Sequence, residues 1–184
     1  MANEIRQKTG TIIVLADTTD HAPAAANNLG TRTDQIDLTS LAANAYRQSA
    51  KFDFTALRAA QYSLMVAIEF GTAPAAGEVV RFFLAPSPSA TAANANPGGV
   101  SGSDSAYTGY SSNAADSVNQ LMYLGSLVCT VQATTTIQIG FISIFSPPER
   151  YGTLVVHNNS AADAFVADAV EMSILITPIV DEIQ

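Results

Sequence analysis

The sequence is poor in the groups that carry chemistry. Its 184 residues include one cysteine, two histidines and no tryptophan, and only 13% are charged. A lone cysteine, Cys129, excludes a disulfide scaffold, and one Cys with two distant His at positions 21 and 157 cannot supply the closely spaced ligands of a zinc site. Lys8 and Lys51 are the only lysines, and neither follows the glycine-rich turn of a phosphate cradle. Eight Lys and Arg against sixteen Asp and Glu leave a formal net charge of −8. That balance argues against a general nucleic-acid binder, which must displace counterions with cations, and against docking on an anionic membrane surface.

Hydrophobic stretches of membrane length are missing too. The region 117–148 has no charged residue before Glu149, but Asn119, Gln120 and the run Gln132-Ala-Thr-Thr-Thr136 break it well short of the ~20 apolar residues a bilayer helix needs. Two neighbouring strands fit it better. The first ten residues, MANEIRQKTG, contain no apolar segment of a secretory leader, so the chain is expected to be made in a reducing cytoplasm.

What is there is a period of two. Tyr62, Leu64, Val66, Ile68 and Phe70 alternate with Gln61, Ser63, Met65, Ala67 and Glu69, which sends the large groups to one face of a strand. Ile137, Ile139 and Phe141 alternate with Gln138 and Gly140, with Ile142 and Ile144 on the other face. Val170, Met172, Ile174 and Ile176 alternate with Glu171, Ser173 and Thr177. Val80, Phe82 and Leu84 oppose Arg81, Phe52 and Phe54 flank Asp53, and 121–131 is almost continuously apolar, as a strand covered on both faces would be. About nine strands without crossover helices predict an all-β fold, an antiparallel β-sandwich of jelly-roll type with less than about 15% helix. The expected inward set is Leu64, Val66, Ile68, Val80, Phe82, Ile139, Phe141, Val155, Ile174 and Ile176. Short helical turns are allowed at 41–47 and 56–60. The chain reads as one domain: an N-terminal arm with a first strand over 1–33, and a sandwich over 34–184.

One segment stands apart. Residues 86–117 are almost wholly Ser, Ala, Gly, Asn, Pro and Thr, with Asp104 and Asp116 the only charges and Val100, Tyr107 and Tyr110 the only large side chains. So little apolar area does not offset the entropy of ordering, so the loop reads either as a loose surface excursion or as an interaction loop anchored on a neighbouring subunit through Tyr107 and Tyr110.

Tests for catalysis return nothing specific. Gly99-Val-Ser101-Gly-Ser103 lacks the closing glycine of a nucleophile elbow and sits in the low-complexity loop. Cys129 lies in an apolar run with no basic neighbour, as an inert buried thiol would. Asp17, Asp20 and His21 form a small polar cluster without the spacing of a calcium loop. No cofactor and no metal is called for.

The C-terminal stretch Pro148-Glu-Arg-Tyr-Gly-Thr-Leu-Val-Val-His-Asn-Asn-Ser160, a short Ala/Asp turn, and the closing strand Val170-Glu-Met-Ser-Ile-Leu-Ile-Thr-Pro178 resemble structural proteins of tailed bacteriophages. The similarity is greatest to small capsid decoration, or cement, proteins, and the opening Gly10-Thr-Ile-Ile-Val-Leu15 fits the same pattern. The resemblance implies a non-enzymatic virion protein on the capsid surface. Its partners would be the major capsid protein and its own copies, as a homotrimer. It transfers no functional residue, because such proteins work through contact surfaces. The candidate interface residues in this chain are Ile5, Arg6 and Lys8 of the N-terminal arm and Val100, Tyr107 and Tyr110 of the long loop. The alternative from the residues is a carbohydrate- or host-surface-binding sandwich of a phage fibre or tail, with tyrosines standing in for the absent tryptophan platform.

Overall fold

The computed structural model describes residues 5–16, 31–55, 58–131, 137–167 and 172–183. In chain order its strands are β1 (Ile5–Thr9), β2 (Ile13–Ala16), β3 (Asp34–Gln35), β4 (Tyr46–Gln48), β5 (Phe52–Asp53), β6 (Gln61–Glu69), β7 (Val79–Ser87), β8 (Ser105–Ala106), β9 (Met122–Val128), β10 (Ile137–Phe145), β11 (Tyr151–Asn159) and β12 (Ser173–Ile183). The one α-helix among the described residues is α1 (Ala114–Ser117). The strands form two sheets, in the orders β10-β6-β12-β2-β3 and β8-β4-β11-β7-β9, with β1 added to β12 and β5 to β11. Every pairing is antiparallel except the short β2–β3 contact. The protein is therefore an all-β sandwich, as the period-two alternation predicts.

The alternating positions meet between the sheets. Leu64, Val66 and Ile68 of β6 and Ile174 and Ile176 of β12 pack against Val80, Phe82 and Leu84 of β7 and Leu154 and Val156 of β11. Phe52, Phe54, Tyr62 and Phe145 close one end with edge-on and stacked rings. The Tyr62 hydroxyl is fully used there: it donates to the Phe54 carbonyl at 3.0 Å and accepts from the Ala59 N–H at 3.1 Å. A buried phenol would otherwise cost free energy for its unmade bonds.

Three expectations need correction. Ile139 and Phe141 do not point inward. The β10–β6 register sets Gln138 opposite Ile68 and Gly140 opposite Val66, so Gln138 and Gly140 take the inner side and Ile139 and Phe141 the outer. Gln138 can be buried because its amide pairs like a piece of backbone: it accepts from the Thr130 N–H at 3.0 Å and donates to the Thr130 carbonyl at 2.9 Å. At Gly140 the end of the Leu127 side chain from β9 takes the space a side chain would use. A bulge between Phe141 and Ser143 then resets the strand, so that Ile142 packs against the core and Ile144 joins Ile139 and Phe141 outside. Second, the run 121–131 is not covered on both faces: Leu124 and Leu127 enter the core, while Val128 and Val131 are exposed. Third, 41–47 forms a turn and then strand β4 rather than helix, and 56–60 lies partly outside the described residues.

The low-complexity loop is neither loose nor reaching away. It folds over the outer face of the second sheet and builds a smaller core there from Val100, Tyr107, Val118 and Leu121 against Phe83, Ala85 and Val155. Val155 is thus buried, as expected, but beneath the loop instead of between the sheets. What orders the loop is polar side chains from the framework, which satisfy its backbone. The Lys51 ammonium donates to Ser87 Oγ and to the carbonyls of Ser89, Thr91 and Asn94 at 2.8–3.1 Å. The Gln48 amide accepts from the Ser101 N–H and donates to Ser105 Oγ and the Ala106 carbonyl. Asp104, its side chain 7% exposed, takes Arg47 Nη2 at 2.6 Å and Nε at 2.7 Å, Gln35 Nε2 at 2.6 Å and the Asp37 N–H at 3.1 Å. Gly102, with φ of +72°, lies so close to the Ala92 carbonyl that no side chain fits.

Candidate interaction surface

The two outer faces of the sandwich differ. The loop covers that of the second sheet; that of the first carries uncovered apolar side chains. On it Phe141 is 63% exposed, Ile144 53%, Ile139 47% and Met65 36%. Register makes them neighbours: Ile139 and Phe141 are two apart on β10, and Phe141 stands directly across from Met65 on β6. The row in register with Met65 goes on to Leu175 on β12 and Val14 on β2, but these two are buried, so the open patch is confined to β10 and Met65. The in-register neighbours of Ile139 and Ile144 are Ala67 and Ser63, and β10 carries no charged residue along its length. Monomeric proteins seldom leave such a contiguous uncharged patch bare, and where they do it is commonly a contact site.

Beside this face the chain termini form a ribbon. β12 pairs with β6 only as far as Ile179 opposite Gln61; from there to Ile183 it pairs with β1 alone. Between β1 and β2 the three residues 10–12 face two, Thr177 and Pro178, on β12, and Gly10 makes this bulge possible because the Pro178 ring sits where a side chain would be. Two-stranded ribbons are marginal alone in water, so this one gains from a further surface to lie on.

The sequence-predicted interface residues fall into two groups. Arg6 and Lys8 are exposed on the ribbon, and the Ile5 backbone pairs with Ile183 at its tip. Lys8 meets Glu182 at 2.6 Å, an exposed pair contributing about 0–1 kcal/mol. Tyr110 is 53% exposed on the loop. Val100 and Tyr107 are not at the surface: both are buried in the loop's own core, and the Tyr107 hydroxyl donates to the Gly98 carbonyl at 2.7 Å. Sequence reasoning took large side chains in a polar loop for outward anchors; here they are what the loop folds around. Ile139 and Phe141, expected in the core, are exposed together with Ile144.

Comparison with known proteins adds no relative. No protein-family model and no curated protein matches this sequence. The reading of the site therefore rests on the chain's own geometry.

The reactive groups are placed as follows. Cys129 is buried, and desolvation with nearby Glu78 and Asp163 pushes its thiol up to about 11, so the thiolate is scarce at neutral pH. Ser101 Oγ accepts from the Ser103 N–H and lies 3.5 Å from Ser105 Oγ. Asp17, Asp20 and His21 lie outside the described residues. Among the described residues no three His, Cys, Asp or Glu side chains cluster in a way that could hold a metal, and no helix is long and apolar enough to cross a membrane.

His157 has a pH-dependent role in stability. It is 5% exposed and stacked on Tyr46 with ring centres 3.8 Å apart and planes 6° apart. Burial, and then the charge of Arg81, push its imidazole down to about 4 from an ordinary value of 6.5. The unfolded chain takes up a proton below 6.5 that the folded protein resists until about 4. Stability is thus fully present above 6.5 and falls as pH drops through that window, by up to about 3 kcal/mol. Urea midpoints measured from pH 7 to pH 4 should fall more for the wild type than for His157→Phe, which keeps a ring on Tyr46 but cannot titrate. Parallel curves would show that the imidazole titrates alike in both states.

Proposed function

We propose that this protein is a non-enzymatic structural protein of a tailed-bacteriophage particle, bound to the outer surface of the capsid and stabilising the shell through contacts with capsid subunits and with its own copies, as a homotrimer. The observation that carries the reading is the exposed apolar patch of Ile139, Phe141 and Ile144 on the uncharged strand β10, with Met65 of β6 beside it, while a folded loop covers most of the opposite face. Two further features support it. With β1 and β2 counted as one bulged strand along β12, and the two-residue β3, β5 and β8 left out, the chain order of strands is 1-8-3-6 in one sheet and 2-7-4-5 in the other, which supports the wrap of a jelly roll, an architecture used by viral capsid domains. The terminal ribbon supplies a second, extendable contact beside the apolar face, suited to neighbouring copies.

The chemistry of that face sets how attachment behaves. Apolar burial and shape do not screen, whereas exposed ion pairs do. A contact of standard size, about 800 Å² per partner, can hold by burial, and copies that also touch one another gain through effective concentration. Retention on particles should therefore change little between about 0.05 and 1 M NaCl, a range over which the Debye length shrinks from beyond 10 Å to about 3 Å. Removal of residues 1–9 should weaken retention. Release by moderate salt, with that deletion harmless, would show that charged contacts elsewhere hold the protein. Deleting 90–113 is not an equivalent test, because it would strip the second core along with the loop.

A further inference from the structure

The loop does not seal the second sheet completely. Between α1 and the sheet remains an open groove of about 680 Å³, floored by β11 and β7 and bordered by Asn44, Tyr46, Arg81, Asn119, Tyr123 and His157. Its size is that of a small-molecule site. Its chemistry is unusual for this chain. The protein carries a net charge of −8, yet among the described residues no Asp or Glu lines the groove. Arg81 stands in it with His157 and Ser126 as its cross-strand neighbours, and it makes no ion pair with any described residue. By contrast Arg47, Arg150 and Lys8 each have a carboxylate, and Lys51 is consumed by carbonyls.

We propose that this groove binds a carboxylate-bearing saccharide, a sugar unit of the uronic- or sialic-acid type, with Arg81 pairing the carboxylate. A guanidinium on a rigid central strand offers two parallel N–H donors in the plane a carboxylate requires. The side-chain amide of Asn44 both donates and accepts, and that of Asn119, one of whose N–H groups donates to the Ala115 carbonyl at 3.1 Å, keeps a second donor and its oxygen, which suits vicinal hydroxyls. Tyr123, 56% exposed and tilted against Phe83 at 5.3 Å, presents an aromatic surface to the apolar face of a sugar ring, and its hydroxyl is tethered to Ser126 Oγ at 2.6 Å. His157, held neutral, provides one donor and one acceptor without a second positive charge. A peptide is the poorer occupant: β11 and β7 are paired on both sides, so the floor offers no free strand edge for backbone pairing.

The test is titration of the intact chain with 3′-sialyllactose and a galacturonate tetrasaccharide, set against lactose, a neutral galactose tetrasaccharide and tetraglutamate. Binding is followed by the NMR signals of His157 and Tyr123. The expected result is that an acidic saccharide binds with Kd below about 1 mM and shifts both signals. Arg81→Gln, at an exposed position with no ion pair to lose, should keep the wild-type unfolding midpoint and weaken that binding at least about tenfold, and Tyr123→Ala should weaken it too. The proposal is overturned if neither acidic sugar binds at about 10 mM, if the neutral sugars bind as tightly, if Arg81→Gln binds unchanged, or if tetraglutamate is preferred.

Discussion

Asp104→Ala should destabilise the folded protein by about 3–5 kcal/mol and release the segment around it, because the change leaves the Arg47 guanidinium largely buried without its carboxylate. Asp104 is one of two charges in a loop of small polar residues, and it is tied to three parts of the framework at once: Arg47 on β4, Gln35 on β3 and the backbone of Asp37. Asp37, whose carboxylate already pairs with Arg47 at 3.9 Å, is too far for the hydrogen bonds that Asp104 makes and offsets only part of the loss. Urea unfolding gives the stability change, and hydrogen exchange at Val100, Tyr107 and their neighbours reports whether the loop opens. Combining Asp104→Ala with Arg47→Met should cost less than the sum of the two single changes, since the double variant leaves no orphaned charge. A loss under about 1 kcal/mol for Asp104→Ala would show that Val100, Tyr107 and Leu121 alone hold the loop down.

The second large effect concerns assembly. Replacing Phe141 and Ile144 together by Asp places two carboxylates on the apolar face of β10, where both side chains are more than half exposed. In the isolated protein, changes at exposed positions that lose no partner stay within about 0.5 kcal/mol each, so the fold should hold. On the particle, two charges would be driven into a dry contact, and retention should fall at least about a hundredfold, a loss of hot-spot size. Quantifying bound and free protein after sedimentation of decorated particles checks this. Retention equal to that of wild type would place the contact elsewhere, with the ribbon of β1 and β12 or Tyr110 as the next candidates.

Much of the fold is legible in the sequence where side-chain size and strand period agree. In β6, β7 and β12 every large apolar group at the alternating positions is inside, because nothing competes for the place. In β10 the same logic fails. Ile139 and Phe141 are the larger groups, but Gln138 finds a complete set of backbone partners at Thr130 and Gly140 makes room for Leu127, so the inner side goes to the smaller and more polar pair. Apolar size predicts burial only when no polar residue has its bonds satisfied inside. The loop 86–117 fails for a related reason. Its composition lacks apolar area, but the groups that order it lie outside it in sequence, on Lys51, Gln48 and Arg47, and local composition does not reveal them. A signal was available: an isolated Asp in an uncharged stretch, together with glycines at 98, 99, 102 and 109, is the composition of a built turn system rather than of a flexible tether.

The most direct measurement is electron cryomicroscopy of intact phage particles purified from cells that make this chain, with its copy number taken from mass spectrometry of the same preparation. The account predicts many copies on the outside of the shell, in three-fold clusters, with Ile139, Phe141 and Ile144 turned toward capsid subunits. Absence of the chain from particles, or density that leaves the β10 face open to solvent, would contradict it.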